Sequence, residues 1–119
     1  MDLTAVIVDD HADFRDQAAK ILRASGYEVV GSCSDGRSAV ASISALRPDV
    51  VLLDVQLPDT DGFALISQLD AVSDGATIVL ISTREAADYG GRIAHSGAAG
   101  FISKAELSAQ SLANVVAGP

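Results

Sequence analysis

The stretch Asp49-Val50-Val51-Leu52-Leu53-Asp54-Val55-Gln56-Leu57-Pro58-Asp59-Thr60-Asp61-Gly62 decides the fold. Val50, Val51, Leu52 and Leu53 are too few for a helix and too apolar for a strand with one wet face. They predict a central strand of a parallel sheet, buried on both sides. Asp54 closes the run, and Pro58 and Gly62 stop any simple continuation. A carboxylate placed there lies at the carboxyl end of a buried strand, where open α/β sheets build their sites. Taken alone, Asp54 reads as readily as a turn cap. The ends of the other strands decide.

Upstream, Ala5-Val6-Ile7-Val8 is a similar run that ends at Asp9-Asp10-His11. Phe14, Ala18, Ile21 and Leu22 then fall on one helical face, and Gly26 supplies the stop. Residues 28–33 form a more polar strand suited to a sheet edge. Asp35 predicts the cap of a second helix with Val40, Ile43 and Leu46 inward, ended by Pro48.

Downstream, Thr60 or Asp61 starts a third helix carrying Leu65, Ile66 and Leu69, and Asp74-Gly75 marks a turn. Thr77-Ile78-Val79-Leu80-Ile81 is a fourth strand, followed by Ser82-Thr83-Arg84. A fourth helix is expected over residues 85–96, with Tyr89 and Ile93 as its main packing side chains and Gly97 at its end. Gly90 and Gly91 in its interior cost about 1 kcal/mol each relative to Ala. They make it the least stable helix, unless they serve close packing on the sheet. Gly100-Phe101-Ile102-Ser103 is a fifth strand leading to Lys104, and Leu107, Leu112, Val115 and Val116 belong to a last helix. Strand and helix alternate five times, which predicts a doubly wound parallel sheet with helices on both faces.

A chain of 119 residues with 49% hydrophobic side chains supports one core and one domain, here taken as 1–119. Aromatics are 4% and Trp is absent, so the core falls to Val, Ile, Leu and Ala. The net charge of −8 argues against holding a nucleic-acid backbone and suits a site that gathers carboxylates around a cation. Cys33, the one cysteine, reads as a small buried side chain in a reducing compartment. The amino terminus carries neither a basic region nor a long apolar run, so a cytoplasmic protein without a membrane span is expected.

In a parallel sheet the carboxyl ends share one rim. Asp9, Asp10, Asp54, Ser82 and Lys104 therefore converge. Three carboxylates in one cleft repel, and a divalent cation relieves the repulsion. Oxygen-only ligands select a hard ion such as Mg²⁺. A hydroxyl and an ammonium opposite supply the donor and the positive charge that a phosphoryl group requires. His11 reads as a solvated loop residue, His95 as a helix-end dipole partner, and Asp59 and Asp61 as turn and cap residues.

This set, in this order on these strands, resembles the receiver domain of two-component response regulators, and the resemblance covers the entire chain. Asp54, Pro58 and Gly62 match the family's Asp-xxx-Pro-xxx-Gly spacing. The resemblance implies a flavodoxin-like strand order 2-1-3-4-5, with Asp54 as phosphoacceptor and Mg²⁺ held by Asp10, Asp54 and the backbone carbonyl of Gln56. Asp9 would contribute mostly through water. Ser82 and Lys104 would hold phosphoryl oxygens, and Phe101 would be the aromatic that changes rotamer. The fourth helix, fifth strand and fifth helix would then change as a surface. Implied partners are a histidine kinase or histidine phosphotransfer protein, an output domain or effector, and a second copy on phosphorylation. Gln56, Thr83 and Arg84 lie where the family tunes phosphate lifetime. Two positions depart from the pattern: Ala105 replaces the proline that usually follows the lysine, and Thr83 is larger than the usual residue. Lys-Ala-Glu-Leu at 104–107 is similar to the branch whose receiver precedes a helix-turn-helix DNA-binding domain.

Three other readings compete. A haloacid-dehalogenase-type phosphohydrolase also uses a strand-end aspartate, but it needs a second aspartate where this chain has Gln56. A flavodoxin-like cofactor binder needs a hydroxyl- and glycine-rich phosphate loop where this chain has Asp9-Asp10-His11. A receiver-like docking module that is not phosphorylated would leave the acidic site without a use.

Overall fold

The computed structural model describes residues 3–73 and 75–117. The elements are β1 (Thr4–Val8), α1 (Ala12–Ala24), β2 (Glu28–Cys33), α2 (Gly36–Leu46), β3 (Val50–Asp54), α3 (Gly62–Val72), β4 (Thr77–Ser82), a 3₁₀ segment (Ala86–Arg92), β5 (Gly100–Ser103) and α4 (Ala109–Ala117). The strands of the sheet pair in parallel and their order is β2-β1-β3-β4-β5. This is the expected doubly wound, flavodoxin-like sheet. β3 lies at its centre and β2 at an edge, as their polarity requires.

The period of two sorts each strand between two cores. Val6, Val8, Val51, Leu53 and Leu80 pack with Ile43 of α2 and Leu65, Ile66 and Leu69 of α3. Ala5, Ile7, Val50, Leu52, Val79 and Ile81 pack with Ala18 and Leu22 of α1 and Leu112 of α4. Leu52 and Leu53 are fully buried on opposite sides of β3, so truncating either to Ala would cost about 2–5 kcal/mol.

Local signals place the helix ends. Asp35 accepts the Ser38 N–H at 2.8 Å and Asp61 the Ala64 N–H at 2.9 Å, the two expected caps. Gly26 takes φ 94° just beyond α1, and α2 stops at Arg47 (φ 47°) before Pro48. A Cβ at Gly62 would lie 2.8 Å from the Asp54 carbonyl oxygen, so only glycine lets α3 begin against the end of β3. The Asp59 carboxylate, expected as a turn residue, instead accepts the N–H groups of Gly36 (2.8 Å) and Arg37 (3.0 Å) across the loop, bracing α2.

Several expectations are corrected. Residues 85–96 do not form an α-helix: they make 3₁₀ turns broken at Gly90, whose φ of 57° and ψ of −134° are non-helical. Nothing lies within 4 Å of a Cβ at Gly90, and at Gly91 the nearest atom is in the His95 ring at 3.7 Å. Gly90 thus bends the chain, and neither glycine serves close packing on the sheet. Leu46, the last residue of α2, is 44% exposed: it lies over Gly31 of the edge strand, where the sheet ends, while Ile43 one turn earlier is fully buried. Leu107 is buried but precedes α4, in the turn after Lys104. His95 has no helix end to face; its Nδ1 lies 2.8 Å from the Gly91 carbonyl oxygen. Of the expected Asp74-Gly75 turn, Gly75 has φ 73°, and Asp74 lies outside the described residues. Cys33 is a buried free thiol, and among the described residues no helix is long and apolar enough to cross a membrane.

Candidate functional site

β1 extends its pairing by one bond, Asp9 N–H to the Cys33 carbonyl at 3.0 Å, and so delivers Asp9 to the rim fully buried. Its Oδ1 accepts the His11 N–H at 2.8 Å, and its carbonyl accepts from Arg15 Nη1 at 2.7 Å. Asp10, next in the chain, is exposed. β3 delivers Asp54, 4% exposed, whose Oδ1 accepts the Gln56 N–H at 3.0 Å. β5 delivers Lys104. Its ammonium donates to Asp54 Oδ2 at 3.0 Å and forms an ion pair with Asp9 Oδ2. The ammonium also sits 4.6 Å from the centroid of the Phe14 ring.

A cavity of about 150 Å³ opens on this cluster, walled by Asp10, His11, Asp54, Gln56, Thr83 and Lys104, among others. Carboxylate oxygens of Asp9, Asp10 and Asp54 and a ring nitrogen of His11 lie within 4.8 Å of one another. His11 is 67% exposed, as a solvated loop residue should be. Its Nδ1 nevertheless stands 3.0 Å from Asp10 Oδ1 and 3.3 Å from Asp9 Oδ1, at the site's mouth. The donor set is dominated by carboxylate oxygen, with the nitrogen at its exposed edge. It fits a hard divalent cation such as Mg²⁺.

The buried charges are unequal. Burial raises the Asp54 pKa to about 6, aided by the Asp9 charge and opposed by the hydrogen bonds from Gln56 and Lys104. Asp9 is also penalised by burial, but the hydrogen bonds from Lys104 and the His11 N–H outweigh it and leave its pKa below the ordinary value. Burial would lower the Lys104 pKa, yet its bonds to Asp9 and Asp54 carry it above 10.5. One ammonium between two buried carboxylates leaves net negative charge at the base of the cavity.

Ser82 and Phe101 are placed differently. Ser82, at the end of β4, is 1% exposed and does not wall the cavity among the described residues. Its Oγ lies 2.7 Å from the Tyr89 hydroxyl and accepts the Arg84 N–H at 3.1 Å. The Tyr89 ring stands between Phe63 and Phe101, at centroid distances of 5.6 and 5.7 Å. Sequence reasoning gave Tyr89 only a packing role and missed Phe14 and Arg15 as neighbours of the acidic cluster. The scarcity of aromatics was the available signal, since a half-buried Tyr requires a partner for its hydroxyl. The side chains of Thr83 and Arg84 are exposed.

Comparison with known proteins agrees with this geometry. Residues 5–117 match the model of the response regulator receiver domain. The chain is 33% identical over 102 residues to the fimbriae Z protein of Salmonella typhimurium, covering 85% of this chain and 49% of that protein. It is 31% identical over 104 residues to the DNA-binding transcriptional activator EvgA of Escherichia coli K12, covering 87% and 51%. The chain thus spans about half the length of these relatives. Among solved structures, the signal receiver domain of the putative response regulator NarL from Mycobacterium tuberculosis superposes with a TM-score of 0.85. It shares 29% identity and covers 99% of this chain and 98% of that one. Strand order, strand-end chemistry and similarity over nearly the whole length lead to one assignment: the chain belongs to the response regulator receiver domain family of two-component signal transduction.

Proposed function

We propose that the chain acts as a single receiver unit, residues 1–119, in which Asp54 accepts a phosphoryl group from a phosphohistidine on a histidine kinase or a histidine phosphotransfer protein. One observation carries the reading. Asp54 lies buried at the end of β3 with Lys104 bridging it to Asp9, at the wall of a cavity that Asp10, Gln56 and Thr83 share. Asp10, Asp54 and the Gln56 carbonyl would hold Mg²⁺, with Asp9 acting mostly through water. The ion would supply charge neutralisation on the phosphoryl oxygens.

This chain's own residues do the rest. An Asp54 carboxylate oxygen attacks phosphorus as the phosphorus–nitrogen bond to histidine breaks, and the product is an aspartyl phosphate. Lys104, already bonded to Asp54 Oδ2, is placed to neutralise a phosphoryl oxygen. Ser82 would donate to another, and Phe101 would turn as Ser82 moves. The exposed Thr83 and Arg84 and the Gln56 side chain would tune lifetime by controlling approach to the cavity. The chain is then a phosphoacceptor that catalyses its own modification, with no other substrate. Gln56 occupies the place where a phosphohydrolase of the haloacid-dehalogenase type needs its acid.

EvgA is a DNA-binding activator, and the chain covers about half of it. An output domain or effector reading the surface of the 3₁₀ segment, β5 and α4, and a homodimer formed on phosphorylation, belong to the same reading. So do action in the cytoplasm and the absence of direct nucleic-acid contact, which the charge of −8 supports. Intact mass after incubation with acetyl phosphate tests it. Wild type should gain one phosphoryl mass only with Mg²⁺, and Asp54→Ala none. Equal labelling of Asp54→Ala would overturn the assignment.

A further inference from the structure

The bond between Ser82 and Tyr89 joins two regions that the receiver chemistry would have to couple. Ser82 is almost completely buried and its hydroxyl oxygen has two partners, the Tyr89 hydroxyl at 2.7 Å and the Arg84 N–H at 3.1 Å. Tyr89 belongs to the 3₁₀ segment, which has no buried residue and whose chain breaks direction at the next position, Gly90. Such a segment has few means of holding itself against the sheet. The Tyr89 ring supplies one, through its edge contacts with Phe63 and Phe101, and its hydroxyl supplies a second.

Ser82 therefore cannot donate to a phosphoryl oxygen on Asp54 while it keeps its present partner, if its single proton is already given to Tyr89. If Tyr89 is the donor, Ser82 keeps its proton, but Ser82 does not wall the cavity, so its Oγ must leave Tyr89 to reach a phosphoryl oxygen there. Either direction makes the two bonds alternatives.

We propose that Tyr89 is a positioning residue: its hydroxyl holds Ser82 in the resting orientation, and phosphoryl capture by Ser82 releases Tyr89 and with it the 3₁₀ segment. This rests on the reading of Asp54 as phosphoacceptor and Ser82 as phosphoryl ligand. The resting bond opposes occupancy of the site by the net worth of one neutral hydrogen bond, which corresponds to about two- to tenfold in an equilibrium constant. The same bond sets how firmly the segment is held, so occupancy of the site and release of the segment are reciprocally linked.

Beryllofluoride with Mg²⁺, a phosphoryl mimic, provides the test, with binding followed by fluorine NMR. Tyr89→Phe keeps the ring and removes the hydroxyl, and should bind the mimic about two- to tenfold more tightly than wild type. In a Ser82→Ala background the same change should have no effect, because the bond is already gone. A purely structural role for Tyr89 would give the same change in both backgrounds, or none in either, and both results overturn the proposal.

A second measurement does not depend on that variant's folding. The chain has no Trp and two Tyr, so Tyr27→Phe leaves Tyr89 as the sole near-ultraviolet chromophore of its kind. Saturation with the mimic should shift the Tyr89 spectrum toward that of a solvated phenol, and an unchanged spectrum at saturation refutes release. Asp54→Asn separates the two levels of inference. If it still binds the mimic as wild type does, the phosphoacceptor reading fails and this proposal falls with it. If it does not bind while Tyr89→Phe equals wild type, the proposal alone fails.

Discussion

Asp54→Asn keeps the side chain's shape at the end of β3 and removes its titration, so it measures what the ionised carboxylate costs the metal-free fold. Burial carries the Asp54 pKa from 3.8 to about 6. The folded state then binds more protons than the unfolded chain between those values. The stabilising contribution is complete below about 3.8 and is lost as pH rises through about 6. The gap is worth about 3 kcal/mol, an upper bound because Asp9 and Asp54 share one lysine. Asp9, with a lowered pKa, acts in the opposite sense: its contribution is present above 3.8 and lost as pH falls. Both proteins carry Asp9, so to first order it cancels.

In EDTA the two proteins should therefore be nearly equal at about pH 4, and Asp54→Asn more stable by about 2–3 kcal/mol above about pH 7. Urea denaturation followed by far-ultraviolet circular dichroism reads the difference directly. Saturating Mg²⁺ should shrink or invert the gap, because wild type then gains a ligand that the variant binds poorly. An Asn variant that is less stable at about pH 8 in EDTA, or a gap that ignores pH, would refute the reasoning.

Further outcomes follow from the same geometry. Mg²⁺ at about ten times its dissociation constant should raise stability by about 1.4 kcal/mol and the melting temperature by several degrees, and Asp10→Ala should remove most of that shift. Thermal melts with and without the ion check it. Thr83→Ala, which opens the cavity wall, should speed acetyl phosphate labelling, aspartyl phosphate loss, or both. Equal rates in time-resolved mass spectra would mean the methyl obstructs nothing. Amide hydrogen exchange over residues 85–96 should be faster than in α1 and α4 and should change when beryllofluoride occupies the site. The 3₁₀ segment has no fully buried residue and its turns are broken at Gly90.

The parts legible in the sequence were those set by local rules. Val50 to Leu53 could only be a strand buried on both faces, and Asp35, Asp61 and Gly26 announced helix ends through chemistry confined to a few neighbours. Once the strands are parallel, Asp9, Asp54 and Lys104 must share a rim, so their convergence follows from topology alone. The 3₁₀ segment was not legible, because its glycines are compatible with either a weak helix or a bend. The non-helical dihedrals of Gly90 and the open space around it decide for the bend. The Ser82–Tyr89 bond spans seven positions, from the end of β4 to the residue before that bend, and depends on the course of the segment between. Asp59 was read as a turn residue because its partners, Gly36 and Arg37, lie more than twenty positions away.

That Asp59 brace makes the rim mechanically lopsided. On one side of Asp54, the loop from β3 to α3 is pinned to the first turn of α2 by two short bonds and to the end of β3 by Gly62. On the other side, β4 passes into a segment moored by side chains alone, the Tyr89 phenol and ring and the Arg92 guanidinium, which sits 4.3 Å from the centroid of the Phe63 ring. A force applied between two such walls displaces the compliant one. A bulky group added at the end of β3 would leave α2 and α3 nearly stationary and spend its deformation beyond β4. The direction in which this molecule yields is set before any partner reads it, by where its chain is stapled.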